Sequence, residues 1–176
     1  MSLALQEKAP SFALPGVDGN EHTLDSYDDA DVLVLIQSCN HCPYVQAWEG
    51  RMKSIQRDYA DRSVRIVALN SNDPSRSPDD SFEEMVARAA SQGFNFDYLY
   101  DRDQSVAGAL GAERTPEVFV FDRNRKLVYH GAIDDNRDDR KAERHYLREA
   151  LDAVLAGDAP PITDTPAVGC TVKWRQ

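Results

Sequence analysis

Basic residues are in short supply. The 176-residue chain has 20 Lys and Arg against 30 Asp and Glu, a formal net charge of -10. Phosphate backbones are bound by clustered Lys and Arg, so this deficit argues against a nucleic-acid binder. It argues equally against an anionic membrane surface as partner. Long apolar runs are missing too: the longest is Val32–Ile36, against the roughly 20 residues that a bilayer span takes. Cysteine is scarce. Three of them are too few, and of the wrong parity, for a disulfide framework. A chain of this length buries roughly 70% of its unfolded surface and folds without such staples. The stretch Met1–Lys8 lacks a basic segment followed by an apolar core, so no secretory signal is read and a cytoplasmic location is expected. In a reducing compartment, cysteines spaced for a purpose are catalytic or metal-binding.

What is present is a globular balance, 41% hydrophobic and 28% charged, with a periodicity that changes along the chain. Phe12-Ala13-Leu14 and His22-Thr23-Leu24 flank Asp18-Gly19, a hairpin signal. Val32–Ile36 is apolar at every position, as in a strand buried on both faces. Val45, Trp48, Met52, Ile55 and Tyr59 recur at helical spacing. Val64–Leu69 reads as a second strand. Ser81 with Glu84 three residues on makes a capping box before a helix that Gly93 ends. A short strand over Phe96–Tyr100, a short helix over Gln104–Leu110, the strands Val118–Phe121 and Leu127–His130 and a helix ending before Gly157 complete the pattern. Strands alternating with helices predict an α/β protein, its mostly parallel sheet covered on both faces and the late hairpin adding an antiparallel edge.

The chemistry is concentrated in Cys39-Asn40-His41-Cys42. The pair follows a buried strand and opens an amphipathic helix with Pro43 in its first turn, where proline is favoured. Cysteines three apart at a helix start lie close enough for a small disulfide ring. Free backbone amides and the helix dipole there favour a thiolate, and Cys39 is expected to have the lowered pKa. A thiolate is the species that attacks a disulfide, with Cys42 then resolving the mixed disulfide. A metal site is the other reading. Structural zinc takes four ligands, which here would be Cys39, His41, Cys42 and Cys170, with His41 awkwardly between two of them.

With Ala9-Pro10-x-Phe12-x-Leu14, Cys39-Asn40-His41-Cys42-Pro43 and Thr115-Pro116 before an apolar strand, the chain resembles the thioredoxin-like superfamily from about Ala9 to Gly157. The tail Pro166–Arg175 is similar to that of a bacterial group with Cys-Asn-His-Cys-Pro sites in the alkyl hydroperoxide reductase/thiol-specific antioxidant branch. The resemblance implies a thioredoxin-like fold, with a central mixed β-sheet flanked by helices, an N-terminal hairpin and a C-terminal tail. It places one domain over residues 1–158 and an extension carrying Cys170 over 159–176. It also implies a cis peptide before Pro116, with Thr115, Pro116 and Arg114 binding substrate, and Asn40 and His41 tuning the redox potential.

The departures matter as well. Ser38 stands where thioredoxins have Trp, with Gln37 before it, which suggests a more polar groove. No acid lies in Val32–Ile36, and Val45 replaces the Glu that relatives place after the second cysteine, leaving His41 or Glu49 as the base for Cys42. Peroxiredoxin spacing requires Thr or Ser three residues before the reactive cysteine and Pro seven before. Ile36 and Val32 occupy those positions for Cys39, and Cys39 and Leu35 for Cys42. His130 is the remaining candidate metal ligand, otherwise a strand-end surface residue. Trp174 is expected to bury its ring and anchor the tail. The runs Asp28–Asp31 and Asp134–Asp139 read as solvated loops, and Phe94, Phe96, Tyr98 and Tyr100 as packing residues.

The function expected is thiol-disulfide exchange by Cys39 and Cys42, with Cys170 a candidate third thiol and no cofactor or metal. The partners expected are a protein disulfide or dithiol substrate and a reductant protein, with no nucleic acid or membrane, the chain itself being a monomer or weak dimer. The alternatives are a peroxiredoxin-type peroxidase and a metal-binding module using Cys39, Cys42 and Cys170.

Overall fold

The computed structural model describes residues 2–176. Strands β1 (Ala13–Pro15) and β2 (Glu21–Thr23) form the N-terminal hairpin. Then come β3 (Val32–Ser38), α1 (Pro43–Tyr59), β4 (Val64–Asn70), α2 (Phe82–Gln92), β5 (Asp97–Tyr100) and α3 (Ser105–Leu110). The chain ends with β6 (Arg114–Thr115), β7 (Glu117–Phe121), β8 (Leu127–Gly131), α4 (Tyr146–Leu155) and β9 (Cys170–Thr171). The main sheet runs β5-β4-β3-β7-β8. The thioredoxin-like expectation of a mixed sheet flanked by helices is met.

β3 is apolar throughout because both of its faces are covered. Val32, Val34 and Ile36 join a core with Trp48 and Met52 of α1, Met85 of α2 and Leu147 and Leu151 of α4. Leu33 and Leu35 face the other way, into a core with Phe12, Tyr27 and Val106 and Leu110 of α3. Alternate side chains of one strand therefore serve two cores.

The sheet is less parallel than the alternation predicts. β3 pairs in parallel with β4, and β4 with β5, but β3–β7 and β7–β8 are antiparallel. The length of α3 explains this. Its 6 residues span roughly 9 Å, too short to return along a strand of roughly 23 Å. The chain stays at the C-terminal end of β3, and β7 re-enters from there. That turn-back puts the residues before β7 beside those after β3.

The tail runs back over the same end. Thr163 and Thr165 exchange backbone hydrogen bonds with His130 (3.0 Å each), and β9 pairs antiparallel with β6. Two glycines permit the close approach. A Cβ on Gly131 (φ +148°) would lie 2.5 Å from the Thr165 carbonyl oxygen, and one on Gly169 2.0 Å from that of Thr115. Trp174 does not anchor this segment. It is 37% exposed, whereas Val172 is 3% exposed. Val172 N–H bonds Glu113 (3.0 Å) at the end of the β6 pairing, and beyond it Asn72, Arg76 and Gln104 hold the backbone of Lys173, Trp174 and Arg175 while the Trp174 ring stays outside.

A second expectation fails at Asp134. It is buried, not solvated, and accepts from Trp48 Nε1 (2.9 Å) and Arg51 Nη1 (2.7 Å). It ties α1 to the segment after β8. The neighbouring Asp135 and Asp139 are exposed, as are Asp28 and Asp29.

Candidate active site

Cys39 follows the last residue of β3, and Cys42 is the N-cap of α1 with Pro43 in the first turn. Both thiols are buried, 2% and 5% exposed. Between them Asn40 is held on every polar atom. Its N–H donates to Asp80 Oδ1 (2.7 Å), its Nδ2 to the Asp79 carbonyl (3.0 Å), and its Oδ1 accepts from the Tyr98 hydroxyl (2.7 Å). Its own carbonyl accepts from Gln46 Nε2 (3.1 Å). Asn40 thus fixes the loop's shape. His41 points outward, 67% exposed, with Nδ1 3.4 Å from Asp79 Oδ2, and among the described residues it makes no hydrogen bond to either sulfur. Gln37 and Ser38 do not line an open polar groove either. Both are buried, and Gln37 Nε2 donates to Ser71 Oγ (2.8 Å) inside the domain.

The loop before β7 closes the other side. The Thr115–Pro116 peptide is cis, as the resemblance implies. Thr115 is fully buried, with its Oγ1 3.6 Å from Cys39 Sγ and its carbonyl oxygen 3.4 Å from Cys42 Sγ. Glu117 holds the loop. Its Oε1 accepts from the amides of Glu113 and Arg114 (2.9 Å each), and its Oε2 lies 2.6 Å from His130 Nε2. His130 Nδ1 is 3.0 Å from Asp164 of the tail. His130 is therefore half-buried and paired, not a strand-end surface residue. Arg114 Nη1 lies 3.5 Å from the Gly169 carbonyl, against the tail, not at the sulfurs.

This chain of groups is pH-sensitive. Burial opposes the His130 imidazolium, but Glu117 and Asp164 outweigh it and raise the pKa above its ordinary 6.5. Stability from this pairing is complete below the unfolded value and is lost as pH rises through the folded one. Glu117 is also resisted by burial, yet His130 and the two amides lower its pKa below 4.5. Its contribution is present above that value and is lost as pH falls through the folded one. Between about pH 6 and pH 8, denaturant titrations should show wild-type stability falling relative to His130→Gln. Parallel curves for the two proteins would refute the pairing.

Cys170 sits opposite Thr115 in the β6–β9 register and packs against the cysteine pair. α1 begins at Pro43, as the apolar periodicity predicts. The pair ionises as a unit: a hydrogen bond across it favours a single thiolate, burial opposes charge at both sulfurs, the Asp80 carboxylate disfavours it on Cys39 while the Thr115 hydroxyl favours it there, and the Val45 and Cys170 amides favour it on Cys42. Burial and the same kind of hydrogen bond push Cys170 up to about 11. Glu49 is buried and ion-paired with Arg88, with Oε2 accepting from Nε (3.1 Å).

The three sulfurs do not form a metal-ligand set. Among the described residues, the one group of three ligating side chains with atoms within 4.8 Å is Asp18, His22 and Asp97. There both His22 nitrogens already face carboxylates, and Asp97 accepts from Tyr27 and Arg65.

Residues 5–130 match the family model described as AhpC/TSA family. The chain belongs to that family. It shares 39% identity and a TM-score of 0.92 with an uncharacterized conserved protein of Geobacillus kaustophilus, over 98% of this chain and 93% of that one. A hypothetical protein of Sinorhizobium meliloti 1021 is 38% identical with a TM-score of 0.93, over 99% and 97%. Thiol-disulfide oxidoreductase ResA of Geobacillus thermodenitrificans (strain NG80-2) is 26% identical over 128 residues, 72% of this chain and 68% of that protein. As an AhpC/TSA-family member the protein is a thioredoxin-like oxidoreductase. The AhpC/TSA match stops at residue 130, so β9 and Cys170 lie beyond it, whereas both solved structures extend across them. No helix among the described residues is long and apolar enough to cross a membrane.

Asp80, Tyr98 and Glu117 were not singled out from sequence as site residues. Glu117 left a trace there, as an acid opening the apolar run Val118–Phe121. Asp80 left none, since its place under Asn40 depends on how the Pro78–Asp80 turn docks.

Proposed function

We propose that the protein exchanges the Cys39–Cys42 dithiol for a disulfide with a protein partner. The observation that carries this reading is the buried Cys39–Cys42 pair facing the loop of the cis Thr115–Pro116 peptide, with Cys39 Sγ 3.6 Å from the Thr115 hydroxyl and Cys42 Sγ donating to the Thr115 carbonyl oxygen (3.4 Å). The Cys39 thiolate attacks one sulfur of the partner's disulfide, and the other sulfur leaves as a thiolate. Cys42 then loses its proton and attacks Cys39 Sγ. The Cys39–Cys42 bond forms, the Cys39–partner bond breaks, and the partner leaves as a dithiol. The partner gains two electrons and the pair loses two. Polar pairing along the β6 edge is where an extended partner segment would lie, once β9 has moved aside. The expected setting is cytoplasmic, with a separate reductant protein returning the pair to the dithiol.

Equilibration of Cys170→Ser in glutathione and dithiothreitol buffers, with free thiols counted by mass after alkylation, tests this. One two-electron transition that consumes Cys39 and Cys42 together is expected, with a midpoint between roughly -270 and -180 mV. Two free thiols across the whole range would refute the reading.

A further inference from the structure

We infer that Cys170 is a third redox thiol, and that the oxidised protein shares its disulfide between Cys39–Cys42 and Cys42–Cys170. The inference rests on the exchange reading above and adds a second route through the same site.

The placement of Cys170 is built, not incidental. It stands opposite Thr115, whose carbonyl oxygen is 3.4 Å from Cys42 Sγ. Gly169 lets β9 approach that closely, because any Cβ there would strike the Thr115 carbonyl. Val172 closes the strand from below, and Arg114 reaches the Gly169 carbonyl from outside. Cys170 packs against the cluster of Cys39, Cys42 and Val45, and the three sulfurs do not lie within a common ligand radius. Cys170 faces the Thr115 backbone, whose carbonyl is the contact of Cys42 Sγ, whereas Cys39 Sγ meets the Thr115 side chain, so Cys42 is the shared sulfur.

The step is an isomerisation. Starting from the Cys39–Cys42 disulfide, Cys170 loses its proton and attacks Cys42 Sγ. The Cys42–Cys170 bond forms, the Cys39–Cys42 bond breaks, and Cys39 leaves as a thiolate that takes up the proton. No electrons enter or leave, so no further oxidant is required. The two-residue strand then becomes covalently fixed along β6.

The test uses full-length wild type, Cys39→Ser, Cys42→Ser and Cys170→Ser. Each is oxidised with diamide, its remaining thiols are alkylated, and its disulfides are mapped from peptide masses. Cys39→Ser should lose both alkylatable thiols through an intramolecular Cys42–Cys170 bond. Cys42→Ser should keep both thiols free, and oxidised wild type should yield both cross-linked peptide pairs. Free thiols or only intermolecular dimers in Cys39→Ser would overturn the role of Cys170. Ready closure of Cys39–Cys170 in Cys42→Ser would overturn Cys42 as the shared sulfur. If Cys39→Ser does not fold, the wild-type map decides, and the absence of the Cys42–Cys170 peptide overturns the inference. Failure of the exchange reading is distinct: Cys170→Ser would then leave Cys39 and Cys42 both alkylatable.

Discussion

Replacing Gly169 with alanine should raise the alkylation rate of Cys42 in the reduced protein by roughly ten- to a hundred-fold, a loss of about 1.4–2.8 kcal/mol of tail docking. The new methyl would lie 2.0 Å from the Thr115 carbonyl oxygen and 2.7 Å from its carbon, both backbone atoms that cannot swing away. The strand must leave. With it go the β6–β9 hydrogen bonds, worth about 1 kcal/mol each, and the burial of Val172, worth about 1.5–3 kcal/mol. These exceed the expected effect because water and local repacking recover part of them. Val168→Ala is the control, since Val168 is 49% exposed on the same segment. Stopped-flow alkylation under pseudo-first-order conditions gives the rates. Equal rates for Gly169→Ala and wild type would mean that β9 does not shield the pair.

Removing the Asp80 side chain should be the most damaging change near the site. Asp80 is 1% exposed and accepts from the Asn40 amide (2.7 Å), Asn72 Nδ2 (2.8 Å) and Ser77 Oγ (2.7 Å). Asp80→Ala leaves these donors unsatisfied at about 1–3 kcal/mol apiece, non-additively, for a loss of roughly 3–5 kcal/mol. At about 2–4 °C per kcal/mol, Tm should fall by roughly 6–20 °C. Asp80→Asn separates scaffold from charge. It retains one acceptor for Asn40 and removes the carboxylate that opposes a Cys39 thiolate. In a Cys42→Ser background, where Cys39 is the one remaining thiol of the pair, Asp80→Asn should shift the pH profile of Cys39 alkylation to lower pH. An unmoved profile would show that Asp80 acts on the loop alone.

The sequence was most legible where local pattern and tertiary environment agree. Val32–Ile36 announces a doubly buried strand because both cores take its side chains. Gly93 ends α2 in a left-handed conformation (φ 61°), as its place after the apolar periodicity predicts. The Cys39/Cys42 spacing and Thr115-Pro116 mark the site without any coordinates. Legibility failed where the deciding contact is remote. β9 has two residues and no periodicity, and its existence depends on the edge of β6 some 55 residues earlier. Trp174 looked like the anchor by size, yet it is the Val172 side chain that is buried. The packing of Cys170 against the pair could not be read, because it depends on how the tail docks along β6.

The two ends of the sulfur cluster hang from elements of opposite permanence. Cys39 follows β3, which is bonded on both edges and wedged between two cores. Its amides should exchange with deuterium only when the whole molecule opens. Cys170 belongs to a two-residue ribbon bonded on one edge, whose amides should exchange through small openings that leave β3 untouched. The sulfur cluster is therefore half fixture and half visitor. Whether Cys170 stands beside the pair at any moment is set by fraying of the tail, on a timescale independent of global unfolding.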